Sequence, residues 1–319
     1  MKIQNNILRL RLVVFIVLVS GCMQSTESVT TPVLPTLVAT NESPTLTPIV
    51  AETISPSPTI VPTLPINEAR KRLLVLLTDN GGCRLPCLWG ITPGKSTYQE
   101  AQATFVPLSV LSVLTSFIPE GGAIFPIYPH GDLTLNINAG FSVNASSDNQ
   151  IVSRVGFQAR ELKKVDNMST DVFDSPFFVE QLGYYMLPNI LTQYGEPTTV
   201  MLSTMAKLPS SGVPGGFKIL LLYPDQGILV NYTMQMQIVG ESIMGCPSNS
   251  HIEFELYPPG HADSFFDLLE PSGWTQIIQK TYKPIEEATS MSQEDFYRIF
   301  SQQTNECILT PASLWPAPN

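Results

Sequence analysis

The sequence predicts an α+β body made of two helix-plus-antiparallel-sheet halves, set behind a long linker. Three observations carry that expectation. Segments with helical apolar spacing near 68–78 and 97–105, and again near 188–194, precede runs with strand alternation. The order helix then meander occurs twice and divides within 161–182, so 67–170 reads as the first half and 171–319 as the second. Hydrophobic residues make up 43% of the chain and charged residues 14%, enough to fill a substantial core over 67–319.

Ahead of that body, Lys2, Arg9 and Arg11 accompany an apolar run from Leu10 to Ser20 that is too short to cross a bilayer, so 1–21 reads as a secretory signal. The string Val19-Ser20-Gly21-Cys22 resembles the bacterial lipobox. What the resemblance implies is removal of the signal and a thioether-linked diacylglycerol on Cys22, with acyl chains such as palmitate. The mature protein would then sit at the cell membrane or outer surface, outside the cytoplasm. Residues 22–66 combine this anchor with a Thr/Pro/Ser-rich linker, as in Thr45-Leu46-Thr47-Pro48 and Ser55-Pro56-Ser57-Pro58-Thr59. Proline at this density removes backbone donors and disfavours the α region, predicting a disordered, partly polyproline II stalk. At about 3.1 Å per residue it reaches up to roughly 130 Å. A passive spacer is the expected role, weighed against recognition of a Pro-rich motif.

The body is expected to open with Asn67 capping a helix from Glu68 to Thr78, its apolar face Ala69, Leu73, Leu74, Leu76 and Leu77, stopped at Asn80-Gly81-Gly82. After the distinctive block Cys83 to Ser96, the pair Ser96/Gln99 reads as a capping box for a helix over 97–105. Val106 to Ile118 is apolar and β-prone, and Gly121-Gly122 ends it. Strands follow at Leu133–Val143 and Ile151–Gln158. In the second half, Pro188 starts a helix through Tyr194 that Gly195 caps, and Thr198–Met205 is a strand. Phe217–Tyr223 and Ile228–Gln237 form a hairpin around Pro224-Asp225-Gln226-Gly227, and His251–Tyr257 is another strand. Helices at His261–Leu269 and Ser292–Gln303 close the chain.

Charge and cysteine usage narrow the function classes. The formal net charge is −10, and loss of a signal carrying three cations and no acid leaves −13. An acidic surface argues against nucleic acid as a partner. If Cys22 is lipidated, four cysteines remain in an oxidising compartment. Three pairings are open; the expected one joins Cys83 to Cys87 and Cys246 to Cys307. Loop-closure entropy gives roughly 2 kcal/mol for the short loop and about 4 kcal/mol for the long one.

The string Ile91-Thr92-Pro93-Gly94-Lys95-Ser96-Thr97-Tyr98-Gln99-Glu100-Ala101 resembles the opening of small envelope lipoproteins of the BamE/SmpA type, and Tyr194-Gly195-Glu196-Pro197 is similar to their helix-to-strand passage. The Cys-x-x-x-Cys and Trp-Gly-Ile-x-Pro-Gly block is similar to one in uncharacterised bacterial lipoproteins. The resemblance implies a binding or scaffolding module of the envelope, with no catalytic residue to carry over.

Gly94-Lys95-Ser96 lacks the earlier glycine of a phosphate loop, where Trp89 stands, so no nucleotide is expected. Cys83 and Cys87 with Met234 and Met236 could hold a soft metal, against a structural disulfide and ordinary core methionines. His251, Glu253 and Glu255 alternate along one strand, with His261 and Asp263 close behind. They read either as a solvated strand face or as a metal site formed by His251, Glu253, Glu255 and His261. Gly140-x-Ser142 and Gly240-x-Ser242 lack the closing glycine of a nucleophile elbow, and no His-Glu-x-x-His occurs. The sequence-level expectation is therefore a non-catalytic binding or scaffold module without cofactor. Its partners would be the membrane, through the lipid, and an envelope protein or cell-wall glycan. A metal-binding protein is the alternative, and a secreted hydrolase the more remote one.

Overall fold

The computed structural model describes residues 61–118, 120–144, 150–165, 168–207, 214–261, 265–270, 273–302 and 304–315. The signal, Cys22 and the linker through residue 60 lie outside the described residues. The fold is α+β.

Helix α1 (Ile66–Asp79) begins before the expected Glu68. Pro65, with φ −55°, already holds the helical φ and offers its carbonyl to the amides of Glu68 and Ala69 at 3.0 and 2.9 Å, so Asn67 falls inside the first turn instead of capping it. Ala69, Leu73, Leu76 and Leu77 are buried, and the helix stops at Asn80 in the left-handed region, φ 58°. The Asn80 side chain then organises the next turn. Its Nδ2 donates to the carbonyls of Cys83 and Cys87, both at 2.8 Å, and its Oδ1 accepts from the Trp89 amide at 3.1 Å.

Helix α2 (Tyr98–Phe105) is capped one residue later than expected. Thr97 and Glu100 form the reciprocal box, with Thr97 N–H donating to Glu100 Oε2 at 2.8 Å and Glu100 N–H to Thr97 Oγ1 at 3.3 Å. Ser96 is occupied elsewhere, accepting from the Thr92 amide at 3.0 Å. The run from Val106 divides into a 3₁₀ turn through Leu111 and strand β1 (Ser112–Ile118).

Strand β2 (Gly121–His130) begins at Gly121-Gly122, the pair expected to end the preceding run. Its two prolines are tolerated because Pro126 sits beside an irregularity in the β1–β2 ladder and Pro129 lies past the end of β1. After β3 (Leu133–Val143), strand β4 (Val152–Val165) runs longer than expected and turns into β5 (Met168–Val172). Helices α3 (Pro176–Leu182) and α4 (Leu187–Tyr194) follow. A second meander then runs through β6 (Thr199–Lys207), β7 (Pro214–Tyr223), β8 (Ile228–Val239) and β9 (Ser242–Leu256). The first part of β9 escaped the sequence reading because Gly245, Cys246 and Pro247 look like a loop. A register shift opposite Met234 and Met236 absorbs them, and the segment Ile308–Pro311 pairs with Ser242 to Gly245.

Short helices α5 (Phe265–Leu269), α6 (Trp274–Thr281) and α7 (Ile285–Ala288), with the two-residue β10 (Lys283–Pro284) between α6 and α7, lead to α8 (Gln293–Phe300) and β11 (Ile308–Pro311). Ser292 caps α8 as expected, accepting from the Asp295 amide at 3.1 Å.

The strands form one antiparallel sheet in the order β1-β2-β3-β4-β9-β8-β7-β6-β10, with β5 on β4 and β11 on β9. The two meanders therefore meet at β4–β9, where Phe157 lies opposite Phe254. On that face Trp89 meets Phe157 edge-on at 5.7 Å and Tyr185 stacks on it at 5.2 Å, while Trp89 Nε1 donates to the Tyr185 hydroxyl at 3.2 Å. Residues from α1, α2, α3, α4, α7 and α8 complete this main core. On the opposite face, among the described residues, Leu269 of α5 and Ile278 of α6 pack with Leu220, Leu222 and Leu229 of β7 and β8, with Tyr257 and Tyr282, and with Met201 of β6. That asymmetry leaves a concavity over β2, β3, β4 and β9.

Disulfides join Cys83 to Cys87 and Cys246 to Cys307. The second ties β9 to the segment entering β11, 61 residues away in sequence. The double substitution C246S/C307S is expected to lower unfolding free energy by about 2–4 kcal/mol in denaturant titrations, and C83S/C87S by about half as much or less.

Candidate functional site

The β4–β9 register that places Phe157 opposite Phe254 also places Gly156 opposite Glu255, on the other face. The cross-strand row continues from Gly156 to Gly140 and from Gly140 to Ala123. The three steps from Glu255 to Ala123, at a strand spacing of ~4.8 Å, make a trough ~14 Å long whose floor lacks side chains on two adjacent strands. Asn138, Gln158 and Glu253 flank it on one side and Ser142 and Arg154 on the other, around a cavity of about 500 Å³. Gly140 keeps the floor low where space is shortest: a Cβ there would lie 3.0 Å from the Gly122 carbonyl oxygen and 3.1 Å from the Ala123 Cβ. At Gly156 a Cβ would meet the Glu255 carboxyl oxygens at 3.5 and 3.6 Å, so the carboxyl group lies over a bare backbone.

Glu255 is the electrostatic centre of this trough. Its side chain retains 15% exposure, and its buried Oε2 has no hydrogen-bond donor within reach; Arg154 Nε stands 3.6 Å away. Burial pushes the carboxyl pKa up to about 7 against the pull of Arg154, and the charge of Glu253 adds to the rise. Glu253 itself is held in place. Asn231 Nδ2 donates to Glu253 Oε2 at 3.0 Å, and the Tyr282 hydroxyl donates to Asn231 Oδ1 at 3.1 Å. Burial raises the Tyr282 pKa, which keeps that hydroxyl a donor at neutral pH.

The other sequence candidates are placed apart from this arrangement. His251 does not lie on a solvated face: it is buried, stacks on Phe173 at 4.3 Å, and its Nε2 is 3.0 Å from the Val172 carbonyl. That carbonyl only accepts, so Nε2 carries the proton. Burial pushes the imidazole pKa down despite the Val172 bond and the Asp171 carboxylate, whose Oδ1 is 3.7 Å from Nδ1. The ring is thus neutral at pH 7, and the Asp171 contact is not an ion pair there. His261 is exposed, and Asp263 lies outside the described residues. Among the described residues no three His, Cys, Asp or Glu side chains are placed to hold one metal ion, so His251, Glu253, Glu255 and His261 do not form the four-ligand group. The soft-metal alternative fails on its ligands: Cys83 and Cys87 are bonded to each other, and Met234 is packed in the core. The Gly94-Lys95-Ser96 turn is tied to β4 by the Gly94 N–H, which donates to the Val152 carbonyl at 2.7 Å. No helix among the described residues is long and apolar enough to cross a membrane.

Sequence reasoning missed Arg154, Asn138, Gln158 and the two floor glycines. The available signal was Gly140 and Gly156 inside strand patterns, where glycine costs stability unless close approach requires it. A second buried acid was also missed: Glu161 is fully buried, neither oxygen has a hydrogen bond, and its neighbour His130 is 3.6 Å away.

Comparison of the chain with protein-family models, curated proteins and solved structures finds no match. The likeness to BamE/SmpA-type modules accordingly rests on its sequence strings alone.

Glu255 makes stability pH-dependent with a definite sign. Between pH 4.5, the ordinary carboxyl value, and about 7 the folded chain keeps a proton that the unfolded chain releases, so folding stability falls as pH rises through that window. Glu255→Gln removes the effect. The stability of E255Q relative to the native chain, measured by urea unfolding, is expected to rise by about 1–3 kcal/mol from pH 4 to pH 8.

Proposed function

We propose that this chain is a lipid-anchored binding protein of the bacterial cell envelope, fastened through Cys22 and presenting the trough between β2 and β9 to an extracytoplasmic ligand. The observation that carries the reading is the sorting of the cysteines. The four in the body are bonded in two pairs, as in proteins that fold under oxidising conditions, while the fifth stands directly after an apolar run with cationic residues ahead of it. A Pro/Thr-rich linker between anchor and body gives the trough reach from the membrane.

Binding is favoured over catalysis because Glu253, the acid beside Glu255, is committed to a hydrogen bond from Asn231. The partner is an envelope component met outside the membrane. Metabolic labelling with an alkyne-tagged fatty acid in a bacterial host tests the anchor. The native chain should take up label and partition with membranes, and Cys22→Ser should abolish both. An unlabelled native chain in the cytosolic fraction with free body thiols would contradict the reading.

A further inference from the structure

The trough has a chemical preference that follows from what it leaves unpaired. Its lining carries three acids, Glu120, Glu253 and Glu255, against one base, Arg154. Glu255 lines the cavity with a side chain that keeps 15% exposure; its buried Oε2 lacks any hydrogen-bond donor, and Arg154, at 3.6 Å, is too distant to supply one. A buried carboxylate in that condition gains most from a ligand that brings both a positive charge and N–H donors. The approach to it is narrow and smooth. Gly156 and Gly140 remove side chains from the floor, so an unbranched group can lie flat along the row and reach Glu255 from the β2 end. A branched or bulky cation would instead meet Gln158 or Arg154 on the flanking rows.

We propose that the trough binds a primary ammonium group carried on an unbranched carbon chain, with the ammonium on the Glu255 carboxyl group above Gly156 and the chain over Gly140. The assignment rests on the trough being the ligand-binding face of the protein. A lysine side chain and a free alkylamine share this chemistry. Binding is coupled to ionisation of Glu255, whose charged neighbours are Arg154 on β4 and Glu253 on its own strand. The carboxyl group must lose its proton to pair, while an alkylammonium remains charged up to a pH of about 10. Affinity should therefore rise from pH 6 to pH 8, with a proton released on binding.

Isothermal titration calorimetry on the full-length chain tests this with four probes: Nα-acetyl-lysine methylamide, its Nε-acetylated counterpart, n-pentylamine and pentan-1-ol. One-to-one binding of an ammonium probe, at least about tenfold tighter than its neutral counterpart, is expected, and E255Q should lose at least about tenfold. Tighter binding of the lysine derivative would identify a peptide source, and tighter binding of pentylamine a free amine; either supports the assignment. Gly156→Val, which fills the floor, should abolish binding. Circular dichroism accompanies each variant, and E255Q, the isosteric change, keeps the test open if G156V does not fold. The assignment is overturned if neither ammonium probe binds the folded native chain, if charged and neutral probes bind alike, if E255Q binds as the native chain does, or if calcium alone binds the trough. Such a failure leaves the lipid anchor untouched, because fatty-acid labelling reads that part separately.

Discussion

The pairing of β4 with β9 is the constraint on which the rest of the body depends. Each meander presents one strand to this joint, and a single register, Phe157 opposite Phe254, settles both faces at once. On one face it builds the aromatic centre with Trp89 and Tyr185; on the other it sets Glu255 over Gly156. A slip by one residue would exchange the faces, putting Glu255 under the helices and Phe254 into the trough. Burying the two phenylalanines is worth roughly 5 kcal/mol, whereas holding Glu255 ionised in its site costs about 3 kcal/mol. The apolar face therefore dictates the register, and the trough is held in place by the core.

The periphery supports that joint in different ways. Asn80 folds the Cys83–Cys87 turn back so that Trp89 reaches Phe157, and the Tyr185 hydroxyl lies 3.0 Å from Asn80 Oδ1. The Cys246–Cys307 bond fixes β11 along the far half of β9, where the β8–β9 ladder is interrupted. Tyr282, entering β10, reaches across to Asn231 and so keeps Glu253 oriented beside Glu255. The trough is thus set by distant parts of the chain that share no local sequence signal.

What could be read from the sequence follows from this division. Helices α2, α4 and α8 were legible because their ends carry local chemistry: Thr97 with Glu100 one residue beyond the expected box, Gly195 at the stop of α4, and Ser292 with Asp295. The β7–β8 hairpin was legible from Pro224 to Gly227, with Gly227 at φ 69°. Strand β2 and the first part of β9 were not, since their prolines and glycines mimic turns until a neighbouring strand absorbs them. For the site, alternation correctly put Glu253 and Glu255 on one face. It could not show that His251 lies under Phe173, or that the partners of the two acids come from β4 and β8. Those contacts are set by cross-strand register, a long-range property.

The claim that the β4–β9 joint encloses Glu255 is tested most directly by an NMR titration of the Glu255 side-chain carboxyl carbon in the full-length chain. This account predicts a midpoint of about 7. A midpoint at the ordinary carboxyl value of 4.5 would mean that the group is hydrated and the trough is not built as described here.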